Sequence, residues 1–315
     1  MKLRFLIMVS AIFIFQFSIF NLASKEVAEQ DGYCGYEYKV LLEKESLYHY
    51  IRVIEEDGIR RLQFRRSGAE YEESAINIRQ PLKFEMYYYS LMLAGFAHKP
   101  DPKRILFIGL GGGTISMAIH HYFPKVHIDN VELDPDVVEV AKKYFGFKED
   151  DRMKVYVRDG RVQVRRLLRD KAKYDIIFAD AFRGGYIPYH LTTKEFMESL
   201  KALLTSDGIV VSNLRPGFES YDYHRRTFNA VFRNQYSYGS GSNVIVIVDA
   251  QEKPLTQKDL EASAQRLQKE KQFTVDLPAI IQERRMQNDY VREGPILTDD
   301  YAPTDILRSI PSDTK

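Results

Sequence analysis

The chain has 315 residues, of which 44% are hydrophobic, enough to bury the core of one large α/β domain or of two smaller domains. Its 45 lysines and arginines nearly balance 44 aspartates and glutamates, so the formal net charge is +1 and no global field attracts a nucleic acid or an acidic membrane. The single cysteine, Cys34, has no second cysteine with which to form a disulfide or a thiolate metal site. These values exclude a small disulfide-stabilised scaffold and a polymeric partner held by bulk charge.

Residues 1–24 have the pattern of a targeting segment. Lys2 and Arg4 precede an apolar run over residues 5–23, which at about 1.5 Å per residue approaches the thickness of a bilayer. The basic residues favour a cytoplasmic N-terminus, and the small residues around Ala23 provide a weak cleavage site. We expect a signal peptide or a membrane anchor, with attachment through the apolar run and the rest of the chain exported. The alternatives are a chain that stays on the cytoplasmic face and a buried core helix.

The next region, residues 36–80, favours strands and is predicted to form a small β domain. Runs over residues 48–54 and 59–64 flank a turn that ends in Asp57 and Gly58. An Asp-Gly pair between two such runs is typical of a β-hairpin, because both residues tolerate the backbone angles of a tight turn.

Residues 81–102 are predicted to form a helix followed by a linker. Apolar residues recur at helical spacing from Pro81 to His98. Pro100 and Pro102 cannot continue a helix, so they mark a boundary before the next region.

Residues 103–250 alternate between apolar runs and helical patterns. Strands are predicted over residues 104–109, 126–132, 153–158, 174–180 and 208–213, with helices starting near Thr114, Pro135, Arg161, Thr192 and Tyr221. This alternation predicts an α/β fold, with a doubly wound, Rossmann-like parallel sheet covered by helices on both faces. A later run over residues 244–248 is expected to add an antiparallel strand at a sheet edge. Residues 251–315 are predicted to form a C-terminal helix, over residues 256–273, and an irregular tail.

A glycine-rich turn after the first of these strands is the sharpest local signal for a nucleoside site. The candidate binding residues are Gly109, Gly111 and Gly113 in this turn, Glu132 after the second strand, and Asp159 and Gly160 after the third. Glycines let the backbone approach a ligand, and a carboxylate about twenty residues later can accept both ribose hydroxyls. Helix capping is the alternative role for the two carboxylates. The turn is not followed by the Gly-Lys-Ser/Thr sequence of a phosphate loop, so a nucleoside triphosphate is not expected.

Asp180 ends the fourth strand of the predicted sheet and is a candidate general base. The carboxyl ends of parallel strands line the crevice where ligands bind in such folds. A carboxylate there can take a proton from an attacking amine, which frees the nitrogen lone pair to displace carbon from a sulfonium centre. The alternative role is a cap for the turn over residues 183–185.

Two further patterns are interpreted as structural. His120 and His121 are adjacent on a predicted helix and point about 100° apart, so we predict no metal site there. Arg161, Arg165 and Arg169 recur at every fourth position, which favours a solvated helix face over a nucleic-acid surface.

Several motifs occur in the order typical of one enzyme family. They are the N-terminal strand pairs, Tyr87, the turn over residues 109–113, the segments 132–134 and 158–160, the strand ending at Asp180, and the segments 192–196 and 238–241. Over roughly residues 46–310 the chain thereby resembles the spermidine synthase (polyamine aminopropyltransferase) family. Segments 187–191 and 297–303 are similar to those of its divergent spermidine-synthase-like branch.

The resemblance implies a Rossmann-like transferase domain behind a small N-terminal β domain, and a role in polyamine biosynthesis. It implies that Asp180 is the catalytic carboxylate and that Tyr87 faces the amine substrate. The donor would be decarboxylated S-adenosylmethionine or S-adenosylmethionine, consumed as a cosubstrate, with no permanently bound cofactor. The partner would be a small-molecule amine acceptor. The resemblance is also compatible with a homodimer.

Four departures from the family pattern concern cationic ligands. The family's donor-binding aspartate in the glycine turn is Gly112 here, a second acceptor carboxylate is Arg183, an acidic partner is Tyr89 and a donor-binding glutamine is His49. Because desolvated ammonium groups need carboxylates, methyl transfer from intact S-adenosylmethionine is the first alternative. An exported protein that keeps the fold without the chemistry is the second.

Overall fold

The computed structural model describes residues 38–66, 68–218, 220–285 and 289–302, and it contains two β-sheets with helices packed around the larger one. The predicted targeting segment, residues 1–24, and Cys34 lie outside the described residues. Within the described ranges, no helix is long and apolar enough to cross a membrane.

The small sheet is an antiparallel meander in the order β1-β2-β3-β4. Its strands are β1 Lys39–Glu45, β2 Tyr50–Glu56, β3 Ile59–Arg66 and β4 Ala69–Asn77. Glu56 pairs with Ile59 across the two-residue turn of Asp57 and Gly58, whose φ angles of 49° and 79° suit an Asp-Gly hairpin.

One face of the small sheet is apolar and covers the helix α4 Pro135–Tyr144. Side chains such as Ile51 and Leu62 are fully buried against Val137 and Val140 of that helix. An ion pair between Lys44 and Asp136, at 2.7 Å, lies beside this contact. The small sheet is therefore packed onto α4, close to the carboxyl ends of the strands of the large sheet.

The helical segment before the large sheet starts later than predicted. It consists of α1 Tyr87–Met92 and α2 Ala94–His98, whereas the sequence spacing predicted a helix from Pro81. Leu82, Phe84 and Met86 lie in a segment of turns and bends before α1, where they pack against the core. Their spacing therefore does not by itself require a helix.

The large sheet has seven strands in the order β10-β11-β9-β8-β5-β6-β7. The strands are β5 Arg104–Ile108, β6 His127–Glu132, β7 Met153–Val157, β8 Tyr174–Ala179, β9 Leu204–Leu214, β10 Asn234–Tyr238 and β11 Val244–Asp249. The helices around it are α3 Thr114–Tyr122, α4, α5 Gly160–Arg169, α6 Lys194–Leu203, α7 Ser220–Val231, α8 Gln257–Lys271 and α9 Leu277–Gln282. Strands β5 to β9 are parallel, and the predicted doubly wound α/β fold with a small N-terminal sheet is confirmed.

The late strand β11 is antiparallel, as predicted, but it is not at the edge of the sheet. It lies between β9 and β10, and all its residues are buried. The edge strand is β10, whose sequence Asn-Gln-Tyr-Ser-Tyr alternates polar and aromatic residues without a long apolar run. Because β10 covers β11, the fully apolar pattern of β11 is that of an interior strand.

Strand β5 pairs with β6 on one side and with β8 on the other. The direction of the chain path across the sheet reverses at this point, and the helices that follow β5 and β8 pack on opposite faces of the sheet, which leaves a crevice above the strand ends. Phe107 of β5 stacks on Phe178 of β8 with ring centroids 4.5 Å apart, which anchors the two strands just below the crevice.

Candidate active site

A cleft with about 940 Å³ of empty space, its solvent-open part included, lies over the carboxyl ends of β5, β6 and β8. Glu73 and Ser74 in the middle of β4 form part of its wall, so both sheets contribute to it. Glycines, carboxylates and apolar side chains line it together, which is the kind of lining that suits a small-molecule ligand such as a nucleoside.

Six of the eight site residues that the sequence predicts line the cleft. They are Gly109, Gly111, Glu132, Asp159, Gly160 and Asp180. The other two, Gly113 and Tyr87, do not line it. Gly113 is the N-cap of α3 and lies against Phe147 behind the turn.

Gly109 sets the distance between the two strand ends that flank the cleft. Its φ is 99°, and a Cβ atom at this position would lie 2.4 Å from the backbone oxygen of Asp180. Its N–H donates a 2.8 Å hydrogen bond to the carbonyl of Val131. A side chain here would strain the backbone and push the ends of β5 and β8 apart.

Glu132 links the end of β6 to the glycine turn. Its carboxylate accepts hydrogen bonds from the N–H groups of Leu110 and Asp134, each at 3.0 Å. Burial raises the pKa of Glu132, and these backbone donors oppose the rise. Asp134, not Glu132, caps α4 by accepting from the N–H of Asp136. The capping alternative therefore fails for Glu132, which faces the cleft.

Asp159 does cap a helix, and it also has a second partner. One carboxylate oxygen accepts from the N–H of Val162 at 2.9 Å at the start of α5. The other lies 2.7 Å from Nε2 of His190, which sits on a 3₁₀ helix, Tyr189–Leu191, over the cleft. The hydrogen bond from His190 is the main reason that the pKa of Asp159 is lowered. A nucleoside base bound near Gly160 would meet this pair.

The loop with His190 is tied to the C-terminal segment. Asp299 accepts hydrogen bonds from Arg161 and, at 2.7 Å, from the hydroxyl of Thr193. Arg161 also donates to the carbonyl of His190 at 3.3 Å. Arg161, interpreted from sequence as part of a solvated stripe, therefore holds the cleft loop in place.

Asp180 follows β8 directly and is positioned by two polar partners. The side-chain amide of Asn213, from the end of β9, donates to its carboxylate at 3.0 Å, and the Tyr88 hydroxyl lies near enough to act on the pKa of this carboxylate. Burial raises the pKa of Asp180 to about 6, against the effect of both groups. Neither partner belongs to the turn over residues 183–185. A carboxylate of this basicity is mostly ionised at neutral pH and can accept a proton.

Tyr87, which the family resemblance assigns to the amine substrate, does not line the cleft. Tyr87 is 57% exposed, and its hydroxyl donates to Glu283 outside the cleft. Tyr88 and Tyr89 face the cleft instead. Successive side chains of a helix point about 100° apart. Which tyrosine faces the cleft therefore depends on the residue at which α1 begins, and that residue is Tyr87.

Glu73 of β4 is a cleft residue that the sequence analysis did not single out. Burial is the main cause that raises the pKa of Glu73 to about 8, and the charge of Asp180 adds to the rise. The sequence feature that could have predicted it is the pair Glu72-Glu73 in a strand. Consecutive side chains of a strand face opposite sides of the sheet, so one of these two carboxylates must face inward.

Three of the four departures from the family pattern also lie at the cleft, namely His49, Tyr89 and Arg183. His49 stacks on Phe64 with ring centroids 3.9 Å apart, and burial lowers its pKa to about 4, so it is neutral at pH 7. Arg183 lies at the mouth and donates to the carbonyl of Tyr48 at 3.4 Å.

The histidines considered as metal ligands lie elsewhere. His120 is 2.9 Å from a carboxylate oxygen of Asp150 and does not line the cleft. In the part of the chain that the structure describes, no group of three or more His, Cys, Asp or Glu side chains is arranged to hold a metal ion.

Comparisons with known proteins agree with this geometry. The family model for the spermine/spermidine synthase domain matches residues 85–248. The polyamine aminopropyltransferase of Vibrio vulnificus (strain CMCP6) is 33% identical over 276 residues, which cover 85% of this chain and 91% of that protein. The spermidine synthase of Thermotoga maritima has a similar fold, with a TM-score of 0.60 and 20% identity over 82% of this chain and 94% of its own. Human methyltransferase-like protein 13, solved in complex with SAH, has a TM-score of 0.55 and 27% identity over 70% of this chain and 100% of its own.

Proposed function

The chain belongs to the spermine/spermidine synthase family, and we propose that it transfers an aminopropyl group to a small-molecule amine. The donor is decarboxylated S-adenosylmethionine, and Asp180 is the general base. The observation that carries the proposal is the carboxylate of Asp180, which lies in the cleft at the end of β8 and is oriented by Asn213.

The donor binds along the strand ends from β5 to β7 in this proposal. The turn at Gly109 and Gly111 lets the nucleoside approach the backbone, Glu132 accepts hydrogen bonds from the ribose hydroxyls, and the base lies near Asp159 and Gly160. What supports this order is that all five residues line one cleft. The donor is consumed in each turnover, so no cofactor stays bound.

The transfer is a single displacement at carbon. The amine acceptor must lose a proton before its nitrogen has a free lone pair, and Asp180 takes that proton. The nitrogen then forms a bond to the aminopropyl carbon next to the sulfonium, and the carbon–sulfur bond breaks. Sulfur keeps the electron pair and leaves as a neutral thioether nucleoside.

Product formation from decarboxylated S-adenosylmethionine and putrescine, followed by mass spectrometry, tests the proposal. Asp180→Asn keeps the shape but removes the base, and we expect turnover to fall by about 10²- to 10⁴-fold with donor binding largely retained. Asp170→Asn, at the exposed end of α5, is the matched control and should keep full activity. Full activity of Asp180→Asn would remove this residue from the mechanism.

Methyl transfer from intact S-adenosylmethionine is the second candidate. The likeness to human methyltransferase-like protein 13 supports it, and so does Gly112, which adds no negative charge to repel the donor's carboxylate. The same assay run with both donors separates the candidates, because the products differ in the added group. A methylated amine with no aminopropylated product would favour this candidate.

Export or membrane attachment through residues 5–23 remains our hypothesis for the N-terminal segment. Its motivation is the basic and then apolar sequence of residues 1–24. An exported chain would meet little donor, which is the physical basis of the alternative that the protein keeps the fold without catalysis. Protease protection on intact cells, combined with nucleoside binding by the purified protein, tests both ideas. A protected chain that binds nucleoside would contradict them.

A further inference from the structure

Glu73 has a carboxyl oxygen that lacks a partner. The residue lies on β4 and faces the cleft, and its Oε1 is buried without a hydrogen-bond partner among the described residues. The backbone N–H of Gly184 lies near the Glu73 carboxyl and acts to lower its pKa, against the effect of burial. A buried, unpaired acceptor costs free energy unless a ligand supplies a donor.

The charges around Glu73 favour a cation as that donor. Asp180 and Glu132 are the carboxylates whose charges act on it, and the hydroxyls of Tyr88 and Tyr89 lie in the same part of the cleft. Arg215 is the cation whose charge reaches Glu73, yet it donates no hydrogen bond to Oε1. An ammonium group has three N–H donors and would satisfy this oxygen.

The glycine turn leaves no room for a carboxylate at its centre. A Cβ atom on Gly112 would lie 2.6 Å from Cδ1 of Phe145 and 2.8 Å from Oγ of Ser74. Phe145 is buried in the core between the small sheet and α4, and Ser74 is hydrogen-bonded to the Tyr89 hydroxyl at 2.8 Å. A carboxylate for a cationic ligand must therefore come from another element, and β4 supplies one.

We propose that Glu73 binds an alkylammonium group in the cleft and thereby selects cationic ligands over ligands that carry a carboxylate. This rests on the proposed function, because it assumes that a sulfonium nucleoside and an amine meet at Asp180. The ammonium belongs either to the aminopropyl chain of the donor or to the amine acceptor.

Binding of the ammonium is coupled to release of a proton. Without a ligand, Glu73 is mostly protonated at pH 7, because its pKa of about 8 lies above that pH, whereas Asp180 is mostly ionised. A bound ammonium stabilises the ionised form of Glu73 and lowers its pKa, so the proton leaves. The affinity for the cation therefore rises between pH 6 and pH 9, and binding at pH 7 releases about one proton.

Calorimetry in two buffers of different ionisation enthalpy tests the proposal. The probes are decarboxylated S-adenosylmethionine, intact S-adenosylmethionine and 5′-methylthioadenosine, which has no amine. In Glu73→Gln we expect the affinity for the decarboxylated donor to fall by about tenfold or more, with loss of the proton release and unchanged binding of 5′-methylthioadenosine. Glu73→Asp should recover part of both effects, because it restores the charge.

Glu72→Gln is the matched control. Glu72 precedes Glu73 on the same strand but is exposed and pairs with Arg61 at 3.1 Å, so its loss should leave all three affinities unchanged. If Glu73→Gln instead leaves donor binding intact and raises KM for putrescine, the ammonium is that of the acceptor. Unchanged donor affinity, proton release and KM in Glu73→Gln would overturn the inference while leaving the proposed function standing. Failure of the wild-type protein to bind any of the three nucleosides would overturn both.

Discussion

The carboxylates in the two halves of the cleft differ in their hydrogen-bond partners. In the half over β6 and β7, the oxygens of Glu132 and Asp159 already accept hydrogen bonds from backbone N–H groups or from His190. In the half between β4 and β8, Glu73 has an unpartnered oxygen, and the pKa values of Glu73 and Asp180 are raised to about 8 and about 6. The first half is rigid before a ligand arrives, whereas the second holds groups whose protonation a ligand can change.

The largest effect should come from a side chain at the close contact between the ends of β5 and β8, where the two halves of the cleft meet. Gly109→Ala forces a positive φ on a residue with a Cβ and places that atom against the backbone of Asp180. We expect the free energy of unfolding to fall by about 3 kcal/mol, measured by denaturant titration. Gly217→Ala, which has open space around it, should change stability by well under 1 kcal/mol. Equal stability of the two variants would contradict the close approach at Gly109.

The next effect concerns the orientation of the base. Asn213→Ala removes the amide that donates to Asp180, so the pKa of Asp180 rises further and the carboxylate loses its fixed direction. The rate in the wild-type protein should fall as the pH drops through about 6, and in the variant this acid limb should move to higher pH. We also expect kcat to fall by about tenfold. Asn229→Ala, which removes a surface hydrogen bond to Tyr290, should leave the pH–rate profile in place.

A smaller effect distinguishes the adjacent tyrosines of α1. Tyr88→Phe removes a hydroxyl that lowers the pKa of Asp180 and should lower kcat by about fivefold, again with a shift of the acid limb to higher pH. Tyr87→Phe removes only the contact with Glu283 outside the cleft and should leave kcat and KM unchanged. The opposite pattern would restore the family-based assignment of Tyr87.

The smallest effect is expected in the half of the cleft whose carboxylates already have hydrogen-bond donors. His190→Ala removes the main cause that lowers the pKa of Asp159, so that pKa should rise, and the affinity for 5′-methylthioadenosine should change by about threefold. His120→Ala breaks a similar pair with Asp150 away from the cleft and should leave nucleoside affinity unchanged. A tenfold or larger effect of His190→Ala would mean that this half is less rigid than its hydrogen bonds indicate.

Residues at the ends of parallel strands could be predicted from the sequence. Gly109, Glu132 and Asp180 each follow a buried strand, and parallel strands bring their carboxyl ends to one edge of a sheet. Local pattern and general topology were therefore sufficient to bring these residues together.

Residues placed by packing could not be predicted in this way. Glu73 reaches the cleft only because the small sheet packs on α4, a contact between segments about sixty residues apart that no local pattern encodes. The choice between Tyr87 and Tyr88 depends on the first residue of a short helix, and helix ends are the least certain part of a pattern. Strand β10 lacked an apolar run, so its neighbour was expected at the edge.

The attachment of the small sheet to α4 has a consequence for how this fold can diversify. A substitution at Glu73 can change the charge of one cleft wall without changing the sequence of the glycine turn, because the wall and the turn belong to separate elements that only packing brings together. The charge of that wall and the conformation of the turn can therefore vary independently of one another.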